Sequence, residues 1–529
     1  MTAPRVLIAD ELSPAALAVF RQRGMQADVR TGLAKAALVA IVGDYDGLCV
    51  RSTTRVDAEV LAAATRLKVV ARAGIGVDNI DVAAATARGV VVMNTPLGNA
   101  ITTAEHAVAL MFALARQIPA ADAATQAGEW PKSRFLGVEL SGKTLGLVGC
   151  GNIGSIVADR AQALRMKVIA FDPFLTADRA VELGVEKVDL ETVLARAEVI
   201  SLHTPLTDRT RNILSAEALA RTRPGVFVIN CARGGLVDET ALRALLDSGH
   251  VAGAAFDVFA EEPARANPLF GAPTFIATPH LGAATVEAQE NVALQAAEQV
   301  ADHLLTGAVT NALNMPSITA EEAPRLRPFV ALADRLGALA GQMVDADLRA
   351  VEIAFLGEVA ELNVRPLAAA ALAGVLRPAL AEVNMVSAPA AAKARGVVVT
   401  ESRQAHSPVY DSVLRVTVTS PAGRQSFSGT VVAGQPRLVD LLGFETDAPI
   451  APAMLFIRNL DRPGFIGALG TLLGERQVNI ATFNLGRDQA GGQAVALVGV
   501  DQPLDEPTLA AVRALPHVQA ARALRFPAA

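Results

Sequence analysis

The chain has 529 residues, of which 52% are hydrophobic and 19% charged, and its formal net charge is −6 at pH 7. That length calls for about three to four domains. The apolar share demands large buried cores, and the acidic balance argues against nucleic acid or an anionic membrane as the main partner. The three cysteines, Cys49, Cys150 and Cys231, adjoin apolar runs without metal or CxxC spacing. They read as small core residues in a reducing compartment, and no metal site is expected. The start goes straight into a strand, and no apolar run reaches the ~18 residues of a membrane span. The expectation is a cytoplasmic protein.

From residue 6 to about 98, short β-rich runs alternate with helical ones, which favours a parallel sheet with helices on its faces. Strands are expected at 6–9, 47–51 and 68–72, with a helix over 13–24. Within this region Arg72-Ala-Gly74-Ile-Gly76-Val-Asp-Asn79 is a Gly-rich strand-to-loop passage. It lacks a third Gly and an acid-ended partner strand, so it does not read as a nucleotide site. Thr102-Thr-Ala-Glu105 has capping-box spacing ahead of a long apolar helix over 106–116. The next loop holds the only tryptophan, Trp130, flanked by Lys132 and Arg134, a composition suited to a subunit contact.

The stretch that organises the chain follows. Residues 145–148 are a short apolar run, and Gly149-x-Gly151-x-x-Gly154 comes at once, with a helical pattern from Ile153. Gly149 permits the tight turn, Gly151 lets backbone approach a pyrophosphate, and Gly154 lets helix and strand pack closely. The phosphates would face the N-terminus of that helix. A second strand over 167–171 ends in Asp172, 18 positions beyond Gly154, near the ~20 expected for a carboxylate that binds the ribose hydroxyl. The next basic residue is Arg179, so the pattern favours NAD over NADP.

Further strands at 199–203, 226–230, 251–257 and 274–278 each end in a polar cluster. In open parallel sheets the ligand crevice lies at the carboxyl ends of the strands, so these clusters should converge there. Among them Arg233, Glu262 and His280 suit the reduction of a 2-keto acid or its reversal. The planar fork of Arg233 can bind a carboxylate or carbonyl oxygen. His280 can exchange the hydroxyl proton near neutral pH. Glu262 can hold the other ring nitrogen and raise the imidazole pKa, although spacing leaves Glu261 open as an alternative. A helix over 285–306 follows.

Residues 317–452 are rich in Ala and Leu, with helical runs at 326–343 and 367–380 and period-two runs at 413–420 and 426–432. No catalytic constellation is visible there, and a scaffold or sensing module is the expectation. From Met454 a βαββαβ pattern is legible, a ferredoxin-like split unit, in which Pro463 reads as a first-turn proline of the helix.

Val148-Gly-Cys-Gly-Asn-Ile-Gly154, Asn230-Cys-Ala-Arg-Gly-Gly-Leu-Val-Asp238, Phe256-Asp-Val-Phe-Ala-Glu-Glu-Pro263 and Thr278-Pro-His-Leu-Gly-Ala283 resemble the successive signatures of the D-2-hydroxyacid dehydrogenases. Arg72 to Asn79 and the overall length narrow the likeness to the long-form branch that acts on 3-phosphoglycerate, which carries an intervening domain and a terminal ACT domain. The resemblance implies an α/β fold with two Rossmann-like, doubly wound parallel-sheet domains, for substrate and for NAD, plus an α+β intervening domain and a C-terminal βαββαβ ACT domain. It implies a discontinuous substrate domain (1–98 and 285–316), an NAD-binding domain (99–284), an intervening domain (317–452) and an ACT domain (453–529).

The reaction implied is NAD-dependent oxidation of 3-phospho-D-glycerate to 3-phosphohydroxypyruvate, the entry to L-serine synthesis. Other expectations are another 2-hydroxy acid such as glyoxylate or hydroxypyruvate, or an NAD-responsive binding protein. By the same resemblance Arg233, Glu262 and His280 are catalytic. Gly149, Gly151, Asn152, Ile153, Gly154, Asp172, Thr204, Cys231, Ala232, Asp257, Gly282 and Ala283 hold the cofactor. Arg51, Ser52, Gly74 and Ile75 lie near the substrate's anionic groups, and Lys132 and Arg134 reach a neighbouring subunit's cleft. Asp461 and Asn479 fit an L-serine effector site across an ACT pair, in a homo-oligomer, with Asn459 at a position that varies among relatives.

Overall fold

In the computed structural model, residues 3–272, 274–344 and 347–526 are described. The first sheet is built from β1 (Arg5–Ile8), β2 (Gln26–Val29), β3 (Gly47–Val50), β4 (Val69–Arg72) and β5 (Val91–Met93). Its order is β2-β1-β3-β4-β5, with every pairing parallel. Strands β3 and β5 are buried along their whole length, as apolar strands covered by helices on both faces must be. The helices start where local chemistry tells them to: Ser13, Asp57 and Asp81 each accept a first-turn backbone N–H.

The second sheet is made by β6 (Thr144–Val148), β7 (Lys167–Phe171), β8 (Glu186–Lys187), β9 (Val199–Leu202), β10 (Val226–Asn230), β11 (Val251–Phe256) and β12 (Phe275–Ala277). Its order is β12-β11-β10-β9-β6-β7-β8, again with parallel pairs throughout. The winding reverses between β6 and β9, and a ligand crevice opens at the carboxyl ends of the strands beside such a reversal.

The helix Ala100–Ala115 enters this second unit. It begins two residues before the expected capping box, and Asn99 at its N-cap makes no side-chain hydrogen bond. Thr103 instead lies inside the helix and donates to the carbonyls of Asn99 and Gly282. The hydroxyl that the local motif would have used, that of Thr102, lies instead 3.2 Å from Thr285 Oγ1. The helix Val286–Thr306, capped by Thr285, returns to the first sheet. Its Val292, Ala296 and Val300 share a core with Val69, Ala71 and Met93, and Leu313 N–H donates to the Val92 carbonyl.

The region after residue 317 holds more strand than its composition suggests. Six strands, Ala350–Gly357, Val398–Gln404, Ser412–Ser420, Gly423–Val432, Gln435–Leu441 and Phe444–Pro449, form one mixed sheet, where two were expected. Val398–Gln404 is an edge strand exposed along its length, so it carries no in–out alternation to read. Helices Ala323–Met343 and Arg365–Leu376 cross so closely that a Cβ on Gly337 would lie 2.0 Å from the Ala371 carbonyl oxygen.

The final unit is a four-stranded antiparallel sheet of Ala453–Leu460, Ile480–Arg487, Gln493–Val500 and Val518–Arg525, with helices Phe465–Glu475 and Glu506–Arg513. All six expected elements are present. The first helix starts at Phe465 with Gly464 at its N-cap, so Pro463 precedes the cap and does not sit in the first turn. The Gln342 side chain bonds the backbone N–H and carbonyl of Arg525, which ties this unit to the preceding one. No single helix among the described residues is long and apolar enough to cross a membrane.

Candidate active site

His280 follows β12 in the left-handed backbone region (φ 56°), and its N–H donates to the Asp257 carbonyl. Its Nδ1 lies 2.7 Å from Glu262 Oε2, while Glu262 Oε1 accepts the Phe259 N–H at 3.0 Å. The partner is therefore Glu262, not Glu261. A proton on Nδ1 facing the carboxylate leaves Nε2 for chemistry. The hydrogen bond to Glu262 raises the His280 pKa above the ordinary imidazole value against the opposing effect of burial. Burial pushes Glu262 up, but the bonds from His280 and Phe259 outweigh it and hold the carboxyl below its usual range.

Asp257 fastens the loop that carries this histidine. Its buried carboxylate accepts from the N–H groups of Leu281 and Gly282, both at 2.7 Å, and from the Thr278 hydroxyl at 2.6 Å. His106, from the helix Ala100–Ala115, places Nε2 at 3.2 Å from Thr278 Oγ1 and 3.3 Å from Asp257 Oδ1. Burial raises the Asp257 pKa, and these bonds bring it below the ordinary value. The carboxylate is charged and fully engaged.

Arg233 leaves the end of β10. Its Nη1 donates to the Ala232 carbonyl at 2.7 Å and its Nε to Asp78 Oδ2 at 3.1 Å. Asp78 belongs to the other lobe, so this ion pair spans the cleft. Arg233 is also close enough to His280 for its charge to disfavour the imidazolium. Guanidinium and imidazole, which the sequence separates by 47 positions, thus reach one cleft.

On the facing lobe Asp10, at the end of β1, accepts the N–H groups of Arg51 (2.6 Å) and Thr54 (3.1 Å). Asn79 Nδ2 donates to the carbonyls of Arg51 and Thr54. The Arg51–Thr54 loop, with Ser52 exposed on it, is therefore fixed from both sides. Gly74 has φ 152° and donates to Thr95 Oγ1, and the Ile75 carbonyl accepts from Asn94 Nδ2. Arg72, whose Nε donates to Asn79 Oδ1 at 3.1 Å, is pushed down to about 10 by burial and by the nearby Arg233 and Arg51. Three guanidinium groups, Arg51, Arg72 and Arg233, against two carboxylates, Asp10 and Asp78, leave this surface with an excess of positive charge suited to an anion.

The glycine turn has the form its spacing predicts. Gly149 has φ 96°, and a Cβ there would lie 2.4 Å from the His203 carbonyl oxygen, next to Thr204 N. A Cβ on Gly154 would lie 2.3 Å from the Gly149 carbonyl oxygen, whereas one on Gly151 would meet nothing within 4 Å. The helix Asn152–Ala163 starts there with no side-chain cap, so its first N–H groups face an open surface on which Asn152 is exposed and Ile153 half-buried. That geometry fits a pyrophosphate. Asp172 accepts the N–H of Cys150 and of Phe174, both at 2.8 Å, and so joins the glycine turn to the ribose side. Cys231 is buried after β10, with Ala232 N–H held by Asn230 Oδ1, and Gly282 and Ala283 follow His280. Burial pushes the thiol pKa up to about 12 at Cys49 and about 11 at Cys150, and up at Cys231. All three are packing groups.

Two sets of expected residues do not meet this site within one chain. Lys132 and Arg134 lie on an exposed turn, where Arg134 faces Glu129 and Phe135 of its own loop. In the last unit Asp461 accepts from Arg487 and Gly491 N–H, while Asn479 donates to Asp501. The strand Gln493–Val500 pairs Leu460 at one end and Ile480 at the other, so Asp461 and Asn479 lie at opposite ends of it.

Sequence reasoning missed Asp10, Arg72, Asp78, Asn79 and His106. Asp10 stands at a strand's carboxyl end, and the strand-end rule would have found it. Arg72, Asp78 and Asn79 lie in the Gly-rich passage set aside for lacking a third glycine. Nothing local marks His106, since it reaches its partners from a separate helix.

A dinucleotide cradle, an imidazole–carboxylate pair and a guanidinium across a two-lobed cleft define an NAD-dependent 2-hydroxyacid dehydrogenase. Residues 108–282 match the family profile of the D-isomer specific 2-hydroxyacid dehydrogenase NAD-binding domain. Residues 325–442 match the D-3-phosphoglycerate dehydrogenase intervening domain, and residues 453–517 the ACT domain. The D-3-phosphoglycerate dehydrogenase of Synechocystis is 41% identical over 97% of this chain and 93% of its own. That of Bacillus subtilis is 39% identical over 99% and 100%, respectively. A glyoxylate reductase structure from Paecilomyes thermophila superposes with a TM-score of 0.55 at 30% identity, covering 59% of this chain and 99% of that one. The chain belongs to the D-3-phosphoglycerate dehydrogenase family.

Proposed function

We propose that the protein oxidises 3-phospho-D-glycerate to 3-phosphohydroxypyruvate with NAD, the entry step of L-serine synthesis, and that the observation carrying this is the His280–Glu262 pair opposite Arg233. Bound NAD supplies the hydride acceptor. His280 Nε2 takes the C2 hydroxyl proton as the hydride leaves, and Glu262 stabilises the imidazolium that forms. Arg233 holds the carboxylate or the C2 oxygen. Arg51, Ser52, Gly74 and Ile75 serve the substrate's other anionic groups, a role supported by the pinned Arg51–Thr54 loop. Closure of the lobes excludes water from the hydride path. The substrate lobe comprises residues 1–98 and 285–316, the NAD lobe 99–284, and the regulatory parts 317–452 and 453–529.

The active protein is a cytoplasmic homo-oligomer, most simply a dimer of NAD-binding units extended to a tetramer by ACT pairing. Exposed apolar residues along one stretch, Phe112, Ile118, Trp130, Leu136 and Val138, support a subunit interface there. Lys132 and Arg134 then reach the neighbour's cleft and meet the substrate phosphate. L-serine binds between Asp461 of one copy and Asn479 of another, a reading supported by their separation within one chain.

The test is NADH oxidation with phosphohydroxypyruvate against hydroxypyruvate, glyoxylate and 2-oxoglutarate, with and without serine. A kcat/KM no better for the phosphorylated keto acid than for glyoxylate would overturn the substrate assignment. Serine without effect on the full chain would overturn the effector.

A further inference from the structure

Arg233 is gripped by the lobe it does not belong to. Asp78 takes its Nε at 3.1 Å from across the cleft, and the Ala232 carbonyl takes Nη1 at 2.7 Å. The third side of the guanidinium lies against the Gly-rich loop: a Cβ built on Gly76 would fall 1.6 Å from Arg233 Nη2 and 2.8 Å from Asp78 Oδ2. Gly76 does not occupy the positive-φ region, so its missing side chain answers to this close approach and not to a backbone requirement. Asp78 itself is largely exposed, with a side-chain exposure of 71%, and no other hydrogen bond engages its carboxylate among the described residues. It is not part of a structural network that would need it if Arg233 were absent.

A planar guanidinium on a long, rotamer-rich stem binds a carboxylate well only when its plane is fixed beforehand. With Nε and Nη1 engaged and Gly76 leaving room beside Nη2, the Nη2 hydrogens, which have no acceptor among the described residues, are the donors that face a ligand. We propose that Asp78 is a positioning residue for the dehydrogenase reaction. It fixes the plane of Arg233 from the substrate lobe, and because the two lie on opposite lobes, Arg233 takes up its working orientation only when the cleft is closed. Asp78 acts through Arg233 and touches no reacting atom. The inference rests on the reading of Arg233 as the group that holds the substrate's carboxylate or C2 oxygen.

The test uses the full-length chain, with phosphohydroxypyruvate and NADH as the assayed pair, and the variants Asp78→Ala, Asp78→Asn, Gly76→Ala, Arg233→Ala and the double variant Asp78→Ala/Arg233→Ala. Asp78→Ala should lower kcat/KM by about 10- to 100-fold, the size expected when a catalytic group is misplaced by around an ångström, with NADH affinity and Tm unchanged. Asp78→Asn keeps an oxygen acceptor for Nε and should recover part of the loss. Gly76→Ala should act in the same direction by pushing Nη2 aside. The double variant should be no worse than Arg233→Ala alone, because the two side chains act as one unit. Asp78→Ala at wild-type kcat/KM beside a crippled Arg233→Ala would overturn the positioning role alone, as would full additivity in the double variant. An unimpaired Arg233→Ala would instead remove the reading of Arg233, and the proposal with it.

Discussion

Nδ1 of His280 and Oε2 of Glu262 stand 2.7 Å apart, 18 positions from one another in the chain. The contact sets the pH dependence of the reaction. Oxidation of a hydroxy acid requires neutral imidazole, so kcat/KM rises with pH through the raised His280 pKa. Reduction requires imidazolium and falls through the same value. In Glu262→Gln the carboxylate that raises this pKa is gone. Both limbs should shift to lower pH, and kcat should drop because the ring loses its orienting partner. Limbs that stay where they are in the wild type would refute the assignment.

Removal of the acid–base group itself is a separate matter. His280→Asn should depress kcat by about 10²- to 10⁴-fold, the usual share of a positioned proton donor, with KM changing far less. Near-normal turnover in a steady-state assay would take His280 out of proton transfer.

Asp172 holds the N–H groups of Cys150 and Phe174 with its two oxygens and has lone pairs left for a ribose hydroxyl. Asp172→Gly removes a charged acceptor worth about 1.5–3 kcal/mol per hydrogen bond. The kcat/KM ratio of NAD to NADP should therefore fall by at least tenfold, since a 2′-phosphate no longer meets a carboxylate. An unchanged ratio would exclude the ribose contact.

The glycines of the turn separate folding from binding. Gly149→Ala puts a methyl 2.4 Å from the His203 carbonyl oxygen at φ 96°, so both Tm and NADH affinity should drop. Gly151→Ala meets nothing within 4 Å. Its Tm should stay at the wild-type value while NADH binding, followed by fluorescence, weakens at least tenfold because the pyrophosphate can no longer approach the backbone. Equal NADH affinity in Gly151→Ala would place the phosphates elsewhere.

Asp257→Ala strips the loop of its fastening. The N–H groups of Leu281 and Gly282 lose their acceptor, at about 1–3 kcal/mol for each donor left buried. Thermal unfolding should show the loss in Tm. The same variant should lose kcat, since His280 depends on this loop for its left-handed backbone. Full kcat at a reduced Tm would limit Asp257 to a structural role.

Much of the fold was legible because its signals are local. The βαββαβ unit was readable in all six elements, since Ala453–Leu460 and Gln493–Val500 are buried apolar runs that frame the rest. The sheet after residue 317 was legible in only two of its six strands, Ser412–Ser420 and Gly423–Val432. Its edge strand Val398–Gln404 is exposed throughout, and an Ala- and Leu-rich composition outweighs such weak strands in any helical reading. The capping box at Thr102 to Glu105 failed for a different reason. The Thr102 hydroxyl pairs with that of Thr285, a partner 183 positions away that no window of local sequence contains.

Chain order alone determined the cofactor cradle, because a turn of three glycines, its helix and the acid ending the next strand lie within a few dozen residues and answer to backbone sterics. It also pointed to the guanidinium and the imidazole, and narrowed the carboxylate to two neighbours, Glu261 and Glu262. Tertiary structure decided how they meet: that Glu262 and not Glu261 turns toward His280, that Asp257 and His106 brace the loop from below, and that Asp78 reaches Arg233 from the opposite lobe. The reason is physical. Backbone conformation is set by neighbours along the chain, whereas the partner of a charged side chain is set by which strand ends the packing of two sheets brings to one cleft.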